Sequence, residues 1–248
     1  MNKIIDKEEY DILYAIGDTH GENLAIAPML LGNDTKLKKC VLHCGDFGIG
    51  FSTFTGDREL MRKLDARMRK YNVMLYAIRG NHDNPVYFND SHYRLKLTNV
   101  VLVPDHSTLE LIVGGNKKLV YLNGGAISVD RVLRTPSKSY WWNEGMNALS
   151  VAQLDEIPSG LDIVITHTRP SGVFPINKNN IKSWLDRDMT LNKDLDDELN
   201  IITDLFWEIN WKNEKYQHFY GHFHMSNTEF IDENTHKLLN IKEICEIR

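Results

Sequence analysis

Five short motifs carry acids, histidines and an amide that could act together: Gly17-Asp18-Thr19-His20-Gly21, Gly45-Asp46-Phe47-Gly48, Gly80-Asn81-His82-Asp83, Thr166-His167 and Gly221-His222-Phe223-His224. Nearly every one directly follows an apolar, strand-like run, namely Ile12 to Ile16, Cys40 to Cys44, Val73 to Ile78, Leu161 to Ile165 and His218 to Tyr220. The ends of neighbouring strands are rigid places from which short polar side chains can converge, and a metal ion needs ligands drawn from distant parts of a chain. A Gly-Asp or Gly-His pair taken alone is an ordinary turn. Together the five read as one metal site.

The elements that must position these residues are also legible. Strand-like runs alternate with helical patterns in the first third, which predicts a βαβα start with parallel strands. Residues 57–71 predict a helix, with Leu60, Met61, Leu64 and Met68 at helical spacing and Arg67, Arg69 and Lys70 near its C-terminal end, where the macrodipole favours cations. A second helix is predicted over 194–211, burying Leu195, Leu199, Ile202, Leu205, Phe206 and Ile209, with Asp196, Asp197 and Glu198 as surface charges in its first turn. Residues 100–103, 109–113, 119–122 and 228–231 read as short strands, and Gly114-Gly115-Asn116 as a hairpin turn. Periodicity alone supports an α/β class and no more.

Asp-x-His, Gly-Asp, Gly-Asn-His-Asp, a lone His and Gly-His-x-His, in this order from Ile12 to His224, resemble the calcineurin-like metallophosphoesterase superfamily. The resemblance implies a four-layer αββα sandwich of two mixed sheets flanked by helices. It also implies a dinuclear centre in which Asp46 bridges, Asp18, His20 and His224 complete one metal, and Asn81, His167 and His222 the other. The implied reaction is hydrolysis of a phosphodiester or phosphomonoester by in-line attack of a metal-bridging hydroxide, with His82 as general acid. Asp83 either orients His82 or caps a turn. A nitrogen and oxygen donor set without thiolate argues for two divalent ions, Mn first with Fe or Zn as alternatives, and against a structural zinc site.

Phosphate recognition calls for cations beyond the metals, and arginine offers a bidentate fork. The candidates are Arg79, Arg131, Arg134 and Arg169, of which Arg131, Arg79 and Arg169 are carried forward as substrate-binding. Arg131 leads because the segment Gly124 to Arg131 ends a strand and opens a stretch with Trp141, Trp142 and Glu144 that could wall a cleft. The two Trp could stack a base, although buried packing is the commoner use. His43, His92, His106, His218 and His236 match no motif and read as structural or exposed.

The Asp-Arg-Gly turn of the superfamily's protein Ser/Thr phosphatases is missing, since Asp46 is followed by Phe47-Gly48. With His224 present, the chain stands closer to the phosphodiesterase and nuclease branches. The rivals are a phosphoprotein phosphatase and a non-catalytic scaffold, the latter weakened by an intact ligand set.

The 248 residues suffice for a full core, and no linker, repeat or low-complexity tract divides them, so one domain over 1–248 is expected. Three cysteines and only Ile4-Ile5 as an early apolar stretch predict a reduced, cytoplasmic protein without a signal peptide, and Cys40 and Cys44 read as buried thiols. No run is long enough to span a membrane. A net charge of −5 disfavours long polyanions such as nucleic acid, while leaving room for a local basic patch. The expected partner is a small-molecule or nucleotide phosphoester, and the sequence carries no signal for oligomeric state.

Overall fold

The structure is a computed structural model that describes residues 1–30, 36–93, 95–176 and 181–248. Its strands are β1 (Asn2–Tyr10), β2 (Ile12–Ile16), β3 (Lys39–His43), β4 (Val73–Ala77), β5 (Val100–Leu102), β6 (Ser107–Val113), β7 (Asn116–Asn123), β8 (Ile163–Thr166), β9 (Gln217–Tyr220), β10 (Asn227–Ile231), β11 (Asn234–Leu238) and β12 (Ile244–Ile247). Its α-helices are α1 (Ile26–Met29), α2 (Phe54–Lys70), α3 (Val86–Asn89), α4 (Val151–Asp155), α5 (Lys182–Leu185) and α6 (Leu191–Lys212).

Two mixed sheets form. The smaller runs β12-β2-β3-β4-β5, with β2 to β5 parallel and β12 antiparallel at the edge. The larger runs β1-β6-β7-β8-β9-β11-β10, and its centre, β7-β8-β9, is parallel. Side-chain alternation assigns the layers. Leu13, Ala15, Cys40, Leu42 and Cys44 point between the sheets, where they meet Leu109, Val120, Leu122, Ile163 and Ile165 of the other sheet. The opposite face of the smaller sheet, with Ile16, Val41 and Leu75, packs on Met61, Leu64 and Met68 of α2. Tyr121 and Val164 on the outer face of the larger sheet pack on Ile202, Leu205, Phe206 and Ile209 of α6. The result is the αββα sandwich that the motifs implied, with both cysteines buried in its centre as inert thiols.

Local chemistry explains the element ends. Thr53 caps α2 by accepting from the Gly56 amide at 3.2 Å, and three cations occupy its last turn. Gly114 and Gly115 both hold positive φ (53° and 77°) in the two-residue turn between β6 and β7, the demand of a tight hairpin that glycine meets without strain. Glu198 departs from expectation. It is buried rather than a surface charge, because it accepts from the backbone amides of Ile127 (3.2 Å) and Met146 (3.3 Å) and so ties α6 to the segment after β7. Among the described residues no helix is long and apolar enough to cross a membrane.

Candidate functional site

The five motifs leave the C-terminal ends of parallel strands in both sheets: Asp18 follows β2, Asp46 follows β3 and Asn81 lies beyond β4, while His167 directly follows β8 and His222 and His224 follow β9. The sandwich brings these ends to one rim. There Asp18, His20, Asp46 and His224 place one ligand atom each within 4.8 Å of one another, a cluster that could hold a metal ion. His224 Nε2 lies 3.2 Å from Asp18 Oδ2 and 3.0 Å from His20 Nε2. A second convergence lies beside it. Asn81 Oδ1 is 2.9 Å from His222 Nδ1 and 3.1 Å from His167 Nε2, and His167 Nε2 is 3.2 Å from Asp46 Oδ1. Asp46 belongs to both groups, with Oδ2 toward His20 (3.8 Å) and Oδ1 toward His167.

The backbone is bent to make this possible. His20, Asp46, His222 and His224 all adopt positive φ, between 46° and 70°, a region that non-glycine residues enter at a cost and that clusters at functional sites. The glycine before Asn81 serves a different need, since a Cβ on Gly80 would collide with the Asp46 carboxylate.

Electrostatics follow from packing anionic and imidazole groups out of water. His167 is fully buried, which disfavours its charged form, yet Asp46, Asp18 and the Cys44 carbonyl outweigh this and push it up to about 9. Asp46 is correspondingly held well below the usual carboxylate range by His167, despite its burial. Burial, with His167 close by, takes His222 down to about 3. A dense set of carboxylates and imidazoles suits a cation, and the donors are the nitrogen and oxygen types that borderline divalent ions accept.

A family model for calcineurin-like phosphoesterases matches residues 13–244. The chain belongs to this family. Its fold resembles that of phosphopantetheinyl hydrolase from Mycobacterium tuberculosis, at 14% identity over 94% of this chain and 90% of that one, with a TM-score of 0.47. A sulfate thiohydrolase from Thermus thermophilus is similar at 13% identity over 91% of this chain and 38% of its own, with a TM-score of 0.38. No curated protein matches the chain in sequence.

The rim of this phosphoesterase opens into a cleft of about 890 Å³ lined by Asp46, Asn81, His82, His222 and His224 at one end. His82 packs edge-on to His20, with ring centroids 4.8 Å apart, and its Nε2 accepts from Arg134 Nη2 at 2.8 Å. Burial pushes His82 down to about 4, Arg134 adding to the effect against the pull of Asp46.

Asp83 does not orient His82. Its carboxylate accepts from the backbone amides of Phe47, Gly48, Ile49 and Gly80 at 2.7–3.1 Å, and so clamps the loop that carries Asp46 to the loop that carries Asn81. Two of the expected substrate arginines are engaged elsewhere. Arg79 is fully buried, bidentate on Asp105 and bonded to the carbonyls of Glu144 and Gly145, and so holds the segment after β7 in place. Arg131 is spent on Asp188 and Asp194, both at 2.6 Å, and does not line the cleft. Arg169 and Arg134 do line it. Arg134, set aside at the sequence level, stands three residues beyond Arg131, on the far side of a single 3₁₀ turn at Arg131–Leu133 that no periodicity announces. The two Trp part company: Trp141 is buried and Trp142 is 86% exposed, and neither lines the cleft. His43, His106, His218 and His236 are buried, and His92 is exposed; His43 supports the rim from behind through Thr19 Oγ1 (2.9 Å) and the Gly45 amide (3.2 Å), and His218 bonds Thr166 Oγ1 beside His167.

Proposed function

We propose that this protein is a phosphoesterase dependent on two divalent metal ions, Mn first among them, acting on a small phosphoester and on diesters at least as well as monoesters. The observation that carries the reading is the position of Asp46, one oxygen turned toward each of two adjoining donor groups at the head of a large cleft. Asp18, His20 and His224 would hold one ion and Asn81, His167 and His222 the other, with Asp46 between them. When bound, such a pair polarises phosphoryl oxygens and activates water for an in-line displacement.

The chain's own residues supply the rest. Arg134 Nη1 and Arg169 Nε are buried donors without a partner among the described residues, a costly state that phosphoryl oxygens in the cleft would relieve. His82, neutral when the cleft is empty, stands where a phosphate anion would raise its affinity for a proton, and it could then pass that proton to the leaving oxygen. Asp83 keeps the two ligand loops in register, and His224 supplies the second histidine of the Gly-His-x-His motif on which the diester preference rests.

The test is an assay of metal-free and Mn-loaded protein on phosphomonoesters, linear and cyclic diesters and phosphopeptides. Turnover of bis-nitrophenyl phosphate that requires metal and at least equals that of the monoester is the expected result. Efficient cleavage of phosphoserine peptides with every diester untouched would move the assignment to a phosphoprotein phosphatase. A protein that binds two ions and cleaves nothing would be a scaffold.

A further inference from the structure

The cleft at the metal-ligand rim also has an apolar wall. Besides Asn81, His82 and His222 its lining includes Phe174, Ile176, Trp184, Leu195, Leu199 and Phe223, side chains with no polar group to offer a substrate except the indole N–H. The volume of about 890 Å³ is many times that of a phosphoryl group and lies in the range of sites that enclose whole drug-sized ligands.

This wall is not a stray surface patch. Along α6 the apolar stripe grades from one surface to the other: Leu205, Phe206 and Ile209 turn into the layer against the larger sheet, Ile202 and Leu199 touch both that layer and the cleft, and Leu195, two turns before Ile202, is partly exposed and lines the cleft. The sheet therefore anchors the helix through its C-terminal half, and the same rigid element carries Leu195 and Leu199 on the cleft. Trp184 of α5 and Phe174 complete the surface, and Tyr220 fixes the latter's backbone by donating to the Phe174 carbonyl at 2.7 Å.

Charge narrows the occupant. The cations among the described lining residues are Arg134 and Arg169, and each carries a buried nitrogen without a partner among the described residues, Arg134 Nη1 and Arg169 Nε, the two assigned above to the phosphoryl group. Arg169 otherwise bonds the carbonyls of Pro170 and Pro175, and Arg134 is paired with Asp130 at 2.6 Å. Two guanidiniums are few for a second phosphate once one phosphoryl group has engaged them. The acids Asp130 and Glu198 on the same lining disfavour further negative charge.

Resting on the phosphoesterase reading, we propose that the substrate is a phosphoester carrying one extended apolar alcohol, a long alkyl or arylalkyl group that lies along the Trp184, Leu195 and Leu199 wall while its phosphoryl group sits at the rim. Nucleoside polyphosphates, with several phosphates to neutralise, are the class that the described lining disfavours. Burial of apolar surface is roughly proportional to area, so each methylene that enters the wall should raise affinity by up to roughly four-fold.

The experiment has two arms on the Mn-loaded protein. Isothermal titration with n-alkylphosphonates from methyl to octyl measures affinity without turnover, and kcat/KM is measured for n-alkyl nitrophenyl phosphates over the same chain lengths, which keeps the leaving group constant. The expected result is affinity and kcat/KM that rise by roughly two- to four-fold per methylene until the chain outgrows the cleft. In Trp184→Ala and Leu195→Asn, both at partly exposed positions that tolerate change, the octyl-to-methyl ratio should fall toward one. That ratio is read within each protein, so a change in activity common to all chain lengths leaves it untouched. Flat dependence on chain length in the wild type, with methylphosphonate bound and the methyl ester cleaved, overturns the apolar-alcohol proposal and leaves the phosphoesterase reading standing. No binding of methylphosphonate and no cleavage of any ester overturns both.

Discussion

Asn81 donates its side-chain Nδ2–H to the hydroxyl of Ser128 at 3.0 Å, and this bond decides which end of the amide faces the histidines. With Nδ2 occupied, Oδ1 is left toward His222 and His167. Ser128 is itself fixed, because its backbone amide donates to Glu144 Oε1 at 2.7 Å, and burial pushes Glu144 up to about 7. A metal-ligating amide needs such support, since its two ends are nearly isosteric and only the oxygen can bind a cation.

Ser128→Ala should therefore free the Asn81 amide to rotate and weaken Mn binding by roughly 10- to 100-fold, with the fold retained. Metal titration followed by calorimetry measures this. Unchanged affinity for both ions would show that the Asn81 amide is held by other means or is not a ligand.

Asp46 is tied down by the His82 amide, which donates to its Oδ1 at 2.8 Å. Asp46→Asn keeps the shape and removes a charge shared by two sites, so both metal content and turnover should collapse together. Mass spectrometry of the loaded variant supplies the count. Two ions per chain with near-normal turnover would mean that Asp46 does not join the sites.

The two arginines that flank the 3₁₀ turn should respond in opposite ways. Arg134→Ala removes the guanidinium beside His82 and should lower kcat/KM by roughly 10- to 100-fold, the worth of a hydrogen bond to a charged group, with little change in melting temperature. Arg131→Ala breaks the pairs with Asp188 and Asp194 and should cost about 1–3 kcal/mol of stability while leaving kinetics near wild type. Reversed outcomes, with Arg131 controlling kcat/KM, would restore it to the cleft.

The convergence of the candidate site was legible because its residues are short, polar and placed at strand ends, where alternation of buried residues marks each strand and the next few positions must lie on the rim. What was missed has little local signal. β1 carries Lys3, Asp6, Lys7, Glu8 and Glu9, and as an edge strand paired only with β6 it needs no apolar run, its charges instead discouraging further pairing. β11, with Thr235, His236 and Lys237, is recognisable only through its partners β9 and β10. Arg79 follows an apolar strand and precedes the Asn81 motif, so its position invites a substrate role. Asp105, which claims it, comes 26 residues later and becomes a partner only in the folded chain. Glu198 shows the same limit: its spacing of four, seven and eleven residues from Ile202, Leu205 and Ile209 sets it on the inward face of α6, but the Ile127 and Met146 amides that make a buried carboxylate tolerable come from a distant segment.

Behind β8 and β9 lies a pair of buried imidazoles whose consequence is a pH-dependent stability. His218 Nε2 is 2.7 Å from Thr166 Oγ1, and its Nδ1 is 3.0 Å from His236 Nδ1. Burial lowers both, His218 with the added effect of His236, and takes His236 from 6.5 to about 4. The native state therefore binds fewer protons than the unfolded chain below the unfolded value of about 6.5, and unfolding takes up protons there. The stabilisation is fully present above that value and is lost as pH falls toward 4, at up to about 1.4 kcal/mol per pH unit for each such group. Thermal unfolding from pH 7 to 4 should show a steep fall in melting temperature, and His236→Gln, which does not titrate, should flatten it by one group's share. His43 and His222 fall in the same direction, so only the difference between wild type and variant isolates His236. Equal slopes in the two proteins would mean that His236 takes up its proton as readily in the native state as in the unfolded one.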